Sequence, residues 1–245
     1  MNNNVQSVRE RYLQVLEKIA SAARSVGRDP ALVKLVVVIK NQPAEIVRTV
    51  IEAGAVILGE NYPEEGVMKL QSLREFSAVE WHMIGHVQSR KAQLVVENFN
   101  YLHSLDSLKL AVRLDQLCGE VERKLPTLLE FNVSGEETKA GWPAWDETNW
   151  PSLLDEIAPV IALPNLQICG LMTMPPLVEV AEVSRPHFQK LQRLQQYLSS
   201  QFPKIDFSEL SMGTSSDYEV AIQAGATYVR VGSAIVGPRQ YKKEK

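Results

Sequence analysis

The sequence predicts an α/β fold of the (β/α)8 barrel type, and three observations carry that prediction. Short apolar runs alternate with longer segments of helical periodicity, the signature of parallel strands covered by helices. Eight such runs can be counted, and 245 residues is the chain length that eight strand–helix units require. The rival, an open doubly wound sheet, usually places a glycine-rich turn after its first strand. Here the first run ends in Ile39-Lys40-Asn41-Gln42-Pro43, with no glycine.

An opening helix is read over about Val5 to Val26, ahead of the first strand. The runs then follow as Val33–Lys40, Val56–Asn61, Val79–Gly85, Tyr101–Asp106, Pro126–Val133, Leu166–Met174, Ser208–Met212 and Thr227–Val236. Between them, Pro43–Ala53 places Ile46, Val47, Val50 and Ile51 on one helical face. Ser107–Lys124 does so with Leu110, Leu114, Leu117 and Val121, and Arg185–Gln201 with Phe188, Leu191, Leu194 and Leu198. Gly54 and Gly225 each follow a helical pattern, as C-terminal caps do. With no linker or low-complexity tract, residues 1–245 are expected to form one domain.

Composition narrows the function. A net charge of -3 argues against a strong pull toward nucleic acid or anionic membrane. No apolar stretch approaches ~20 residues, and Met1 to Glu10 is too polar for a signal peptide, so a cytoplasmic location is expected. Cys118 and Cys169 match no metal or redox spacing and read as small core residues. His82 and His86 are four apart, but position 83 is Met and no third ligand stands at a matching spacing, so no metal site is expected.

In such a barrel, chemistry sits where the strands end. Lys40 ends the run Leu35-Val36-Val37-Val38-Ile39, so its stem should be enclosed. Desolvation disfavours an ammonium, and a neutral amine attacks aldehydes. A strand-end lysine that simply reaches solvent is the plain alternative. Ser211-Met212-Gly213-Thr214-Ser215-Ser216-Asp217 joins the seventh strand to a helix and suits an anion, with Ser216 or Asp217 also able to cap that helix. Val229-Arg230-Val231-Gly232-Ser233-Ala234 puts a charge inside an apolar strand, costly unless paired, beside a glycine that permits close backbone approach. Two hydroxyl and glycine clusters on strands seven and eight favour a phosphorylated ligand. The residues alone leave three readings open: a lysine-imine aldolase, a pyridoxal phosphate protein and a phosphosugar binder.

Six phrases narrow these. Leu-Gly-Glu-Asn-Tyr at 58–62, Trp-His-Met-Ile-Gly-His-Val-Gln-Ser at 81–89 and Asn-Val-Ser-Gly-Glu-Glu-Thr-Lys-Ala-Gly at 132–141 are followed by three more. These are Gly-Leu-Met-Thr-Met at 170–174, Leu-Ser-Met-Gly-Thr-Ser-Ser-Asp at 210–217 and Val-Arg-Val-Gly-Ser-Ala-Ile-Val-Gly at 229–237. Together they make the chain resemble the YggS/PROSC family of pyridoxal 5'-phosphate (PLP) homeostasis proteins, from about Val33 to Arg239. The resemblance implies a TIM-like barrel of the alanine racemase N-terminal-domain type, here with an extra N-terminal helix. It implies PLP as the cofactor, held as a Schiff base on Lys40. It places Arg230 against the pyridine nitrogen, Ser211, Gly232, Ser233 and, less closely, Thr214 at the phosphate, and Asn61 near the cofactor. Ile84 and Met172 would sandwich the ring, with His82 nearby.

This chain departs from the family pattern in having Ile39 where a serine is usual, Asn41 for a common threonine and Thr214 where methionine is frequent. The stretch Gly141–Trp150 is longer and more aromatic than the pattern; it reads as a rim loop whose tryptophans pack down, or as part of a lid. An arginine at the ring nitrogen weakens the electron sink. The chain ends a few residues past the eighth strand, which leaves no room for the further domain that gives racemases a second base. The expectation is therefore a PLP carrier acting in intracellular vitamin B6 homeostasis without efficient catalysis. A low-activity PLP-dependent amino-acid enzyme such as a racemase is the alternative. A monomer is expected, with PLP-dependent apoenzymes as possible recipients.

Overall fold

Eight parallel strands hydrogen-bond side by side and close into a ring, in the computed structural model, which describes residues 2–237. Met1 and residues 238–245, including Arg239 where the family resemblance ends, lie outside the described residues. The barrel strands are β1 (Lys34–Val38), β2 (Ile57–Glu60), β3 (Glu80–Met83), β4 (Tyr101–Leu105), β5 (Leu125–Asn132), β7 (Leu166–Met172), β8 (Glu209–Ser211) and β9 (Tyr228–Val231). Pairing runs β4-β3-β2-β1-β9-β8-β7-β5, and β4 also pairs with β5, so the sheet has no open edge. All eight predicted runs contain a strand; seven strands are shorter than their runs, β5 has its run's length shifted by one residue, and the last part of the eighth run forms a short helix instead. A two-residue strand, β6 (Trp142–Pro143), adds to β5 and arises from the aromatic stretch.

The helices are α1 (Asn2–Ser25), α2 (Ala44–Glu52), α3 (Pro63–Ser72), α4 (Ala92–Asn98), α5 (Leu108–Glu120), α6 (Trp150–Ile161), α7 (Arg185–Gln201), α8 (Tyr218–Gln223) and α9 (Ser233–Val236). The faces read from periodicity are the buried ones: Val47, Val50 and Ile51 on α2, Leu110, Leu114 and Leu117 on α5, and Phe188, Leu191, Leu194 and Leu198 on α7. Ile46 is only half-buried, and Val121 falls just past the end of α5 and is exposed. The predicted caps Gly54 and Gly225 adopt φ of 112° and 104°, the left-handed region open to glycine. The opening helix packs on α2, α8 and α9 through Val8, Tyr12, Val15, Ile19 and Ala23. Arg28 Nη1 and Nη2 donate to the carbonyls of Ile222 (2.6 Å) and Ala226 (2.9 Å), tying the end of α1 to the α8 region.

The main core lies between sheet and helices. The barrel interior is different. His82, Tyr101, His103 and Tyr228 gather there with ring centroids 5.0 to 5.8 Å apart, where branched aliphatics usually fill the layers. One close approach holds the ring shut on the far side: a Cβ on Gly170 of β7 would run into the backbone carbonyl of Glu209 on β8. Gly170→Ala should therefore cost about 3 kcal/mol of stability by parting two strands. Urea unfolding of the two proteins measures this, and equal midpoints would show that the ladder yields without cost.

Of the two cysteines, Cys118 is buried in α5 as expected, whereas Cys169 is only half-buried. Among the described residues, no helix is long and apolar enough to cross a membrane. The aromatic stretch packs down. Trp142 and Trp150 are buried, Trp145 is half exposed, and the Trp142 ring lies 5.9 Å from Phe131.

Candidate functional site

Where the strands end, a cavity of about 420 Å3 opens, in the range of sites for small cofactors. Lys40, Asn61, Ile84, Thr214, Arg230, Gly232 and Ser233 line it, joined by Ser215, Ser216, Asp217 and Lys139 and by the chain beyond β7 at Met174–Leu177. Residues spread over nearly the whole sequence thus converge because each parallel strand delivers its C-terminal end to the same mouth.

Lys40 sits half-buried in the turn after β1. Two groups from α3 hold that turn. Lys69 Nζ donates to the Ile39 carbonyl and to Glu60 Oε2, both at 2.7 Å, and to Glu65 Oε2 at 3.1 Å. The Asn41 amide donates to the same Glu65 oxygen at 3.1 Å. Asn41 itself has φ 56°, a left-handed conformation that asparagine tolerates better than the threonine usual in the family. Glu60 is wholly buried, and that burial raises its pKa against the opposing pull of Lys69. This clamp was not read from the sequence, although Glu65 and Lys69 show the four-residue spacing of a helical ion pair. Ile39, where the family has a serine, is packed in the core and does not line the cavity.

Arg230 stands in β9 with 3% of its surface exposed. Burial lowers its pKa to about 10, so it remains a cation at pH 7. Its Nη1 donates to Ser211 Oγ at 2.5 Å, and its Nη2 to the Thr173 carbonyl at 2.9 Å and to Met174 Sδ at 3.5 Å. A guanidinium carries five N–H groups, so donors are left over for a ligand in the cavity. Asn61 has the complementary property: its side-chain oxygen is buried with no partner among the described residues. Gly232 lies so close to β1 that a Cβ would approach Val38 Cβ to 3.2 Å and the Val38 carbonyl to 3.3 Å, so a side chain there would crowd the base of the Lys40 turn. The amides of Gly232 and Ala234 donate to Ser215 Oγ at 3.1 and 3.5 Å.

Three residues expected at the ligand are placed elsewhere. Ser211 is wholly buried, does not line the cavity, and spends its hydroxyl between Arg230 and His103. His82 is buried inside the barrel, within 2.9 Å of His103 and 3.2 Å of Glu80. Met172 is buried in β7, and Met174, where the chain has left the strand, lines the cavity in its place. Of Ser216 and Asp217, read as able to cap the helix that follows, Asp217 stands at its N-cap but makes no side-chain cap bond. Its Oδ1 instead accepts from the Thr214 amide at 2.7 Å and hydroxyl at 3.2 Å. Nothing in the stretch 142–150 lines the cavity, while Lys139 just before it does.

Glu130 of β5 adds a pH dependence. Burial, then the Asp106 charge, raises its pKa to about 7, while Arg230 and His86 oppose the shift. The folded state therefore holds this proton more tightly than the unfolded chain. Stability from this group is full below the unfolded carboxylate pKa and is lost as pH rises to about 7, by about 3 kcal/mol in all. Glu130→Gln should unfold at a higher temperature than the parent at pH 8 and differ little at pH 4. A parent whose disadvantage does not grow with pH would contradict this.

Comparison with known proteins gives a consistent set of likenesses. The family model described as alanine racemase, N-terminal domain, matches residues 14–240. The pyridoxal phosphate homeostasis protein of Vibrio alginolyticus is 39% identical over 239 residues, covering 96% of this chain and 99% of that protein. The structure of PipY from Synechococcus elongatus with PLP bound superposes with a TM-score of 0.75 at 36% identity, covering 91% of this chain and 100% of that one. An alanine racemase of Clostridium difficile shares the fold alone, with a TM-score of 0.68 at 15% identity over 94% of this chain and 56% of that chain.

Proposed function

The chain belongs to the pyridoxal phosphate homeostasis proteins, built on the alanine racemase N-terminal domain, and from that premise we propose that it holds PLP in the cavity at the strand ends, with Lys40 as the residue that binds the aldehyde. The carrying observation is the convergence of Lys40, Arg230, the unpartnered Asn61 oxygen and the hydroxyls of Thr214, Ser215, Ser216 and Ser233, which follow β8 and β9, on one cavity.

These groups suit the cofactor's parts. The Lys40 amine meets the aldehyde. Arg230 donates to the ring nitrogen, and Asn61 answers a polar substituent on the ring. Ile84 and Met174 supply apolar surface beside it. Thr214, Ser215, Ser216 and Ser233 offer hydroxyls to the phosphate, with Gly232 giving it room. His82, Met172 and Ser211 act from behind that lining.

PLP, when bound, supplies an electrophilic aldehyde and an electron sink. Arg230 keeps the sink weak, since a protonated ring nitrogen beside a guanidinium is disfavoured. We therefore read the protein as a carrier that holds and releases PLP, with PLP-dependent apoenzymes as recipients and the cytoplasm as the meeting place. The curated relatives, named for homeostasis, favour this over an amino-acid enzyme.

The test is an absorbance spectrum of the purified protein with PLP, borohydride reduction and peptide mapping. A visible band and a modification at Lys40, with D/L interconversion of amino acids far below ordinary enzyme rates, are expected. Modification confined to another lysine, or turnover at enzyme rates, would overturn the reading.

A further inference from the structure

Five side chains form an unbroken row through the barrel interior. Glu80 stands at the start of β3 with its carboxylate more than half exposed. Its Oε2 lies 3.2 Å from His82 Nε2. His82 Nδ1 lies 2.9 Å from His103 Nε2, His103 Nδ1 lies 2.9 Å from Ser211 Oγ, and Arg230 Nη1 donates to that same oxygen. The row crosses from the N-terminal end of the strands to the cavity at their C-terminal ends. All members except Glu80 are buried.

Its direction can be derived from both ends. An arginine only donates, so Ser211 Oγ accepts there and its own proton needs another acceptor. Among the described residues, His103 Nδ1 is the ring nitrogen that provides one. At the other end a carboxylate only accepts, so His82 Nε2 carries the proton. A neutral His82 then accepts at Nδ1, which requires a proton on His103 Nε2 and leaves His103 Nδ1 bare. The two deductions agree. Burial supports them, since it lowers the pKa of both rings and keeps them neutral.

We propose that Glu80, His82, His103 and Ser211 are positioning residues: a one-way hydrogen-bond chain, with both histidines in the Nε2–H form, that fixes Arg230 against the ring of a bound cofactor. The chain gives Nη1 a buried acceptor, while Thr173 and Met174 hold Nη2. Each link polarises the next, so the carboxylate at the far end strengthens Ser211 as an acceptor. The cavity-facing donors of Arg230 are then set in place before the cofactor arrives. The inference rests on the PLP reading for its consequence, though its geometry stands in the protein alone.

The experiment has two arms. The chain contains only four histidines, so ring nitrogens of protein labelled with 15N-histidine can be assigned by single substitution. Without PLP at pH 7, His82 and His103 are expected to show the Nε2–H pattern. A proton on His103 Nδ1 would overturn the proposal. In the second arm, Ser211→Ala should weaken PLP binding about tenfold and alter the His103 pattern, while Ser211→Thr, which keeps the hydroxyl, recovers most of both. An alanine variant that binds PLP as the parent does and keeps the parent's visible band would also overturn it. If the parent protein takes up no PLP at all, the function proposed above fails, and the ring patterns still decide the chain by themselves.

Discussion

Alanine at position 40 is expected to abolish covalent retention of PLP while leaving the barrel folded. Borohydride should fix no cofactor at that position, and what binding remains should be weaker by at least about a hundredfold, or about 3 kcal/mol. The fold should survive because Lys40 lies in a turn outside β1, half-buried, and Ile39 beside it supplies the core contact. Thermal unfolding of the cofactor-free variant should stay within about 1 kcal/mol of the parent. Arg230, Asn61 and the hydroxyls remain, so weak uptake of PLP without a covalent link should persist. Gel filtration after incubation with PLP, followed by absorbance of the protein peak, separates the two kinds of binding. Full retention through the column would refute the role given to Lys40.

A second large effect should follow from Lys69→Met, which reaches Lys40 through the clamp. Methionine keeps the stem's volume and removes the ammonium that meets Glu60, Glu65 and the Ile39 carbonyl. Glu60, wholly buried, would then be an uncompensated charge, at a cost of about 3–5 kcal/mol. The penalty should shrink at low pH, where Glu60 takes up a proton, because burial already pushes its pKa up and Lys69 is the main group holding it down. Glu60→Gln in the same chain should restore part of the loss by removing the charge. The turn would still lack its hold on the Ile39 carbonyl, so the double variant should regain stability before it regains PLP retention. Chemical unfolding at pH 5 and pH 8 reads the first effect and the gel-filtration assay the second. A single variant as stable as the parent at pH 8 would show that the clamp carries little.

The sequence was legible wherever one chain segment decides its own state. Alternation of apolar runs and helical faces gave all eight barrel strands and the buried faces of α2, α5 and α7, because burial of a face imposes its period on the residues themselves. Strand ends pointed to Lys40, Asn61, Ile84, Arg230 and Gly232, since parallel strands of a closed barrel must deliver their ends to one mouth. The resemblance through six phrases supplied what the cavity would hold.

Contacts between distant segments were not legible. Nothing near His103 announces that its ring meets His82 on one side and Ser211, 108 residues away, on the other. Ser211 reads as a phosphate ligand from its neighbours, yet the structure gives its hydroxyl to Arg230 and His103. Lys69, a charge on α3 whose burial nothing in its local sequence singles out, is buried beneath the Lys40 turn. The physical reason is the same in each case. Periodicity and strand-end position follow from local geometry, whereas the partner of a buried polar group is set by how the closed ring brings strands together. For this protein the sequence by itself determined the barrel and the end of it at which several of the predicted site residues gather round one cavity. Only the tertiary structure decided which polar side chains line the cavity and which stand behind it, because every buried donor and acceptor must find its partner across the fold.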